Sequence, residues 1–137
     1  EVSSFEGKYY SLPECVQGPK PLQKPHPPMF FGGESNPALR RVAEFGHGWM
    51  GYRLTPESLP ERLEKLSKML DTYGRSLSDI EIAISPYDTA CDLDTVKRFA
   101  DLGVEQIILV GFADSLEQMV QTLDNYAEAL VVPGSTI

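Results

Sequence analysis

The clearest rhythm in the chain lies between Thr55 and Gly74. Leu59, Leu63, Leu66, Leu70 and Tyr73 are spaced four, three, four and three, the repeat of one helix face. Thr55-Pro56 opens this helix and Gly74 ends it. Shorter patterns flank it. Met29-Phe30-Phe31 is a short apolar strand running into Gly32-Gly33. Residues 37–45 then read as a helix, with Leu39, Val42, Ala43 and Phe45 on or near one face. Pro37 suits the first helical position, Ser35 or Asn36 the cap, and Gly46 the stop. Trp49-Met50 is a second short apolar segment. Ile80, Ile82 and Ile84 alternate with Glu81 and Ala83 in a third strand. A helix over 94–102 turns Val96, Phe99 and Ala100 inward and stops at Gly103. The run Ile107-Ile108-Leu109-Val110-Gly111 is fully apolar, as in a strand buried on both faces. Asp114 and Glu117 form a capping-box-like pair before the last helix. Its core stripe is Leu116, Met119, Val120, Leu123, Ala127 and Leu130.

The N-terminal region has a different texture. Residues 4–12 read as a short hairpin, with Glu6-Gly7 at the turn and Tyr9, Tyr10 and Leu12 favouring strand. Residues 13–28 hold Pro13, Pro19, Pro21, Pro25, Pro27 and Pro28, six of the chain's eleven prolines. Proline fixes φ and removes donors, so this stretch is expected to be an extended, irregular connector. The expected order after residue 28 is β-α-β-α-β-α-β-α. Alternating short strands and amphipathic helices imply an α/β fold with a parallel sheet. The domain reading is a single unit over 1–137: hairpin and Pro-rich connector over 1–28, four β/α units over 29–137. A closed TIM barrel needs eight such units and about 250 residues. Four units also suit a small open α/β sheet, and no internal repeat decides between the two.

Composition narrows the function. Of 137 residues, 42% are hydrophobic and 23% charged, which suits a packed core and not a disordered chain. The net charge of −8 speaks against nucleic-acid binding, which needs a basic stripe, and against docking on anionic membranes. It leaves room for one phosphate, because backbone amides bind phosphate without net positive charge. Cys15 and Cys91 are far apart and form no metal or disulfide pattern, so two free thiols in a reducing cytoplasm are expected. No apolar run approaches the ~20 residues of a membrane span, and no signal peptide is visible. The first residue is Glu1, not methionine, and an upstream segment is expected.

The stretch 25–49 carries the candidate chemistry. A strand runs into two glycines, then Glu34-Ser35-Asn36, then a helix. Gly32 and Gly33 let the backbone approach a ligand. The amides of Glu34, Ser35 and Asn36 are donors at the positive end of a helix, and the Ser35 hydroxyl adds one more bond. The same junction also serves as a tight turn in which Ser35 or Asn36 is only a cap, and local pattern alone leaves both readings open.

The run from Phe5 to Trp49 resembles the luciferase-like monooxygenase family. The family's Phe-x-Gly-x-Tyr-Tyr segment is matched by Phe5 to Tyr10. Its Pro-rich connector is matched by Gly18-Pro19-Lys20-Pro21 and by Pro25-His26-Pro27-Pro28. Its strand ends in Gly-Gly, here Gly32-Gly33, before a helix with Ala38-Leu39-Arg40-Arg41. Its Gly-Asp-Gly-Trp is Gly46-His47-Gly48-Trp49, with histidine in place of the aspartate. The likeness continues more weakly to Pro133. It implies the second half of a TIM barrel whose mouth holds FMN or coenzyme F-420. The cofactor phosphate is expected at Gly33-Glu34-Ser35-Asn36, with Gly32 at the strand end. The implied activity is a monooxygenase or hydride-transfer oxidoreductase acting on a small organic substrate. The family's catalytic polar residues come mostly from the other half, so the resemblance assigns no catalytic residue here, and this chain alone is expected to be inactive. The expected partner is an N-terminal half-barrel or a second copy in a homo-oligomer. A competing reading is a non-catalytic half-barrel association module, and a third is a small phosphate-binding α/β domain.

Other polar residues weigh less. His26 and His47 lack a carboxylate or cysteine at metal-ligand spacing, so no metal site is expected. Trp49 reads as core, and Arg40-Arg41 as solvent-facing. Arg53, Asp88 and Asp92 follow strands, at the functional end of a barrel. Asp92 reads chiefly as a helix cap.

Overall fold

The computed structural model describes residues 2–87 and 89–134. Two sheets form. The first is an antiparallel hairpin of β1 (Ser3–Glu6) and β2 (Ser11–Cys15). The reversal spans Gly7 to Tyr10, where the Gly7 N–H donates to the Tyr10 carbonyl at 2.9 Å. Tyr9 and Tyr10, expected in a strand, therefore sit in the turn and are exposed. Pro13, expected in the connector, lies inside β2. A two-stranded ribbon has only edges, and an edge strand tolerates the missing donor. The connector after Cys15 has no regular structure up to β3 and is exposed throughout its described length.

The second sheet is parallel, in the order β3 (Phe30–Gly32), β4 (Gly48–Tyr52), β5 (Glu81–Ser85) and β6 (Gln106–Ile107). Between the strands run α1 (Asn36–Phe45), α2 (Leu59–Asp71) and α3 (Leu93–Asp101). Helix α4 (Leu116–Tyr126) follows β6 and continues through a π turn, Ala127–Val131, and a last α turn, Val132–Gly134. Sequential neighbours in space with helical crossovers are what alternating β/α patterning demands. The fold class is therefore the expected α/β arrangement of parallel units.

The core gathers under the two central strands. Leu39, Val42 and Ala43 of α1, and Leu59, Leu63, Leu66 and Leu70 of α2, are buried against Trp49, Ile82 and Ile84. The four-and-three spacing thus selects the inward face of α2. Tyr73 lies beyond the helix end and is 42% exposed, and Phe45 is 52% exposed, so neither joins the core. Helix α2 begins at Leu59. A turn precedes it, in which the Ser58 N–H donates to the Thr55 hydroxyl and the Thr55 N–H to the Ser58 hydroxyl. Gly46 does end α1, but in an extended conformation. A Cβ there would lie 2.7 Å from the Val42 carbonyl oxygen, so the close approach demands glycine. Arg75 caps the same helix end from outside, donating to the carbonyls of Val42, Ala43 and Gly46.

The C-terminal quarter departs most from expectation. In α3 Phe99 is fully buried, while Ala100 is exposed. The apolar run from Ile107 contributes only Ile107 to strand β6, and it is half-buried, not enclosed on both faces. Strand β6 pairs with β5 alone among the described residues. The cap of α4 is Ser115, one residue later than expected. Its hydroxyl accepts from the Gln118 N–H, and the Gln118 side chain accepts from the Asp114 N–H, so Ser115 and Gln118, and not Asp114 and Glu117, satisfy the donors at this helix start. On α4 the predicted core stripe is largely bare: Leu116 is 81% exposed, Val120 49% and Leu123 55%, and only Leu130 is buried. The helical period is right and the inward partner is missing.

Candidate functional site

The strand-to-helix junction after β3 brings the predicted residues together. Gly32 closes the strand. Gly33 has φ 99°, a backbone region that side chains rarely enter. Ser35 is the N-cap of α1, and its Oγ accepts the Ala38 N–H at 3.4 Å. Asn36 is the first helical residue, so the cap reading falls to Ser35. Among the described residues no carbonyl accepts the N–H of Glu34 or Ser35. Those two amides and that of Asn36 are the unpaired donors of a helix start. Pro37 removes a fourth donor where none is needed. The Ser35 hydroxyl keeps its own hydrogen free to donate while its lone pair caps the helix.

Two residues hold this loop in place. The Trp49 ring is fully buried in β4, and its Nε1–H donates to the Gly33 carbonyl at 3.0 Å. Trp49 is thus core, as read, and also a tether. His47, standing where the family motif has aspartate, accepts the Met29 N–H on Nδ1 at 3.2 Å, while its own N–H reaches the Met29 carbonyl at 2.8 Å. An acceptor at this turn is retained despite the substitution. The His26 ring lies edge-on to His47 with centroids 5.3 Å apart. No cluster of three metal-ligating side chains occurs among the described residues.

Arg62, which the sequence reading overlooked, comes to the junction from α2. Its Nε is 3.1 Å from Glu34 Oε2, and its Nη1 bonds Glu61 at 3.2 Å. The Nε–H is nevertheless buried without a well-directed acceptor. A buried guanidinium donor beside a loop of free amides suits an anionic oxygen. Nothing in the local sequence announces this, since Arg62 is 28 residues from Glu34 and meets it only through α1–α2 packing. Arg40 and Arg41 are exposed, as expected.

A second constellation lies at the C-terminal ends of β4, β5 and β6. Arg53 and Tyr87, each just past a strand or one residue further, have φ of 54° and 61°. Such backbones cost on the order of 1–3 kcal/mol in side-chain-bearing residues and cluster at functional sites. The Arg53 guanidinium sits 5.3 Å from the Tyr87 ring centroid. Tyr87 in turn packs on Tyr52 (4.9 Å) and edge-on to Phe112 (5.6 Å). A cleft of about 560 Å³ opens beside them, walled by Pro86, Tyr87, Leu109, Val110 and Phe112. Cys91 also borders it. Burial, and then the neighbouring Asp92 charge, pushes its thiol up from the ordinary value. Asp88 lies outside the described residues.

Asp92 is the cap of α3. It accepts the Thr95 N–H at 2.8 Å and the Thr95 hydroxyl at 2.7 Å, and these bonds hold its carboxyl below the ordinary 3.8. A folded-state pKa that is depressed stabilises the fold above the unfolded value, and the contribution fades as pH falls through the folded one. Across the same face, the Arg98 hydrogen bond pushes Glu57 down to about 2, with the same sign. Asp92→Asn retains an acceptor for the cap but does not titrate. Its urea midpoint is expected to fall less steeply than the parent's below about pH 4; parallel curves would remove Asp92 from the acid response.

A family model described as luciferase-like monooxygenase matches residues 1–95. Among solved structures, an F420-dependent secondary alcohol dehydrogenase in complex with an F420-acetone adduct shares the fold. The TM-score is 0.63 at 14% identity, over 94% of this chain and 55% of that one. The chain thus spans about half the length of that structure. The four β/α units are those of a half-barrel.

Proposed function

This chain belongs to the luciferase-like monooxygenase family, and on that footing we propose that it is the cofactor-phosphate-binding half of a flavin- or deazaflavin-dependent oxidoreductase. The observation that carries the reading is the loop at Gly33–Asn36. It has free amides on Glu34 and Ser35, a helix terminus behind them, a Cβ-free approach at Gly33 and the unsatisfied Arg62 Nε alongside. These donors fit a phosphate monoester. The group is FMN or coenzyme F-420, whose phosphate-bearing ribityl ends are alike. When bound, it passes hydride equivalents to or from a small organic substrate, or in the flavin branch activates dioxygen. The protein's part is to anchor the phosphate so that the ring lies over the strand C-termini, the functional face of such folds.

The test is a titration of the folded chain with FMN and with F-420, using riboflavin as the phosphate-free control. Saturable binding of a phosphorylated cofactor, with riboflavin weaker by about tenfold or more, is the expected result. Equal binding of FMN and riboflavin would remove the phosphate role from Ser35 and its neighbours.

A second reading has its own support. The bare stripe on α4 and the open edges of β3 and β6 suit a half-barrel that associates, either with a separate N-terminal half or with another copy. Light scattering separates them: a well-folded strict monomer at high concentration counts against self-association.

A further inference from the structure

We propose that the face of α4 around Leu116, Val120 and Leu123 is the docking surface for the Pro-rich connector of a second copy of this chain, residues 16–24. The proposal names the surfaces behind the self-association reading above and rests on that reading. Leu116, Val120 and Leu123 follow one another at helical spacing, so they form one continuous stripe, and all are exposed. Glu117 and Asp124 each follow a stripe residue by one position, about 100° round the helix, and so line one flank. The surroundings are acidic throughout. Residues 99–137 hold Asp101, Glu105, Asp114, Glu117, Asp124 and Glu128 and no lysine or arginine. Two such faces repel each other, so the complement of this one is cationic as well as apolar.

The connector has both properties. Residues 16–28 carry Lys20 and Lys24 and no acid. Leu22, midway between the lysines, is 98% exposed, and Val16 is exposed as well. The prolines around them restrict the chain in advance, which lowers the entropy lost on docking. Lys20, Lys24, Glu117 and Asp124 form no ion pair with another described residue. Their spacings also agree. Glu117 and Asp124 lie about 10 Å apart along the helix axis, and the extended chain from Lys20 to Lys24 reaches up to about 12 Å. Both pairs can form at once, with Leu22 on the stripe between them. The hairpin is a poorer match, because its exposed Phe5 and Leu12 stand beside Glu6 and Glu14. Within one copy the connector leads into β3 and α4 follows β6, and these strands are opposite edges of the sheet. The connector is exposed throughout its length, so its own α4 does not cover it. The contact therefore joins two different surfaces on two copies.

The experiment is sedimentation velocity of the full chain over a concentration series, at about 50 mM and about 500 mM salt. Association that grows with concentration and weakens with salt is the expected result. Lys20→Glu with Lys24→Glu, and separately Glu117→Lys with Asp124→Lys, are each expected to weaken it by about tenfold or more, with circular dichroism showing an unchanged fold. An equal mixture of the two double variants is expected to associate like the parent, since each then meets the opposite charge across the contact. The proposal is overturned if either double variant alone associates like the parent, or if the mixture stays monomeric. In those cases the self-association reading survives through another surface. Leu22→Ser tests the apolar part: association equal to the parent's would leave only general attraction of charge and would also overturn the proposal. A parent chain that is monomeric at every concentration sinks both this proposal and the self-association reading, and leaves the α4 face to a different protein.

Discussion

Replacing Trp49 with alanine is expected to destabilise the chain by about 3–5 kcal/mol, the range for a large aromatic ring removed from a packed core. The ring is fully buried and touches the centre of the α1–β4–α2 core. Urea unfolding followed by circular dichroism gives the value directly. The more informative variant is Trp49→Phe. It keeps most of the apolar contact and removes the Nε1–H that holds the Gly33 carbonyl. The expected stability cost is about 1–3 kcal/mol, that of a buried acceptor left without its donor. FMN affinity is expected to fall as well, because the loop presenting the Glu34 and Ser35 amides loses its tether. A Trp49→Phe protein that binds FMN like the parent would make Trp49 a core residue only.

The second large effect concerns charge at the loop. Glu34 places a carboxylate among the donors proposed to hold a phosphate, and Arg62 stands 3.1 Å from it. Arg62→Gln is expected to weaken FMN binding by about tenfold or more, the equivalent of one charge-assisted hydrogen bond. Glu34→Gln is expected to strengthen it, since a repelling charge is removed and Arg62 is freed. The double variant should lie between the two, and the cycle of four titrations yields the coupling. Riboflavin binding should be nearly unchanged throughout, because it carries no phosphate. If Arg62→Gln loses FMN and riboflavin affinity equally, Arg62 is merely a support for the α1–α2 packing.

Much of this arrangement was legible along the chain, and the reason is local. The four-and-three repeat of Leu59, Leu63, Leu66 and Leu70 is enough to orient α2, because one period matches one buried face. Glycine and proline mark boundaries by their own φ restrictions, so β3, α1 and the connector fall close to where they are expected. The Gly33–Asn36 junction is likewise contiguous, and its donors follow from the geometry of any helix start. Other expectations failed where a feature depends on what lies opposite. Leu116, Val120 and Leu123 have the spacing of a core face, yet they face open space. Periodicity says that a stripe exists, and only a packed neighbour can bury it. The run after Gln106 is apolar enough for a doubly enclosed strand, yet β6 has one neighbour and extends over two residues.

By itself, the sequence determined the alternation of elements, the inward faces of α1 and α2 and the contiguous Gly33–Asn36 junction, all of which are set by near neighbours in the chain. The tertiary structure alone decided three things. Arg62 comes to Glu34 across a helix pair, and Trp49 donates to Gly33 across two strands. Past the ends of β4, β5 and β6, Tyr87 meets Arg53 on one side and Phe112 on the other, and the two aromatic rings border one cleft. These contacts join residues between 16 and 34 positions apart. Their partners are chosen by the register of a parallel sheet and by helix packing, neither of which is written in any local spacing.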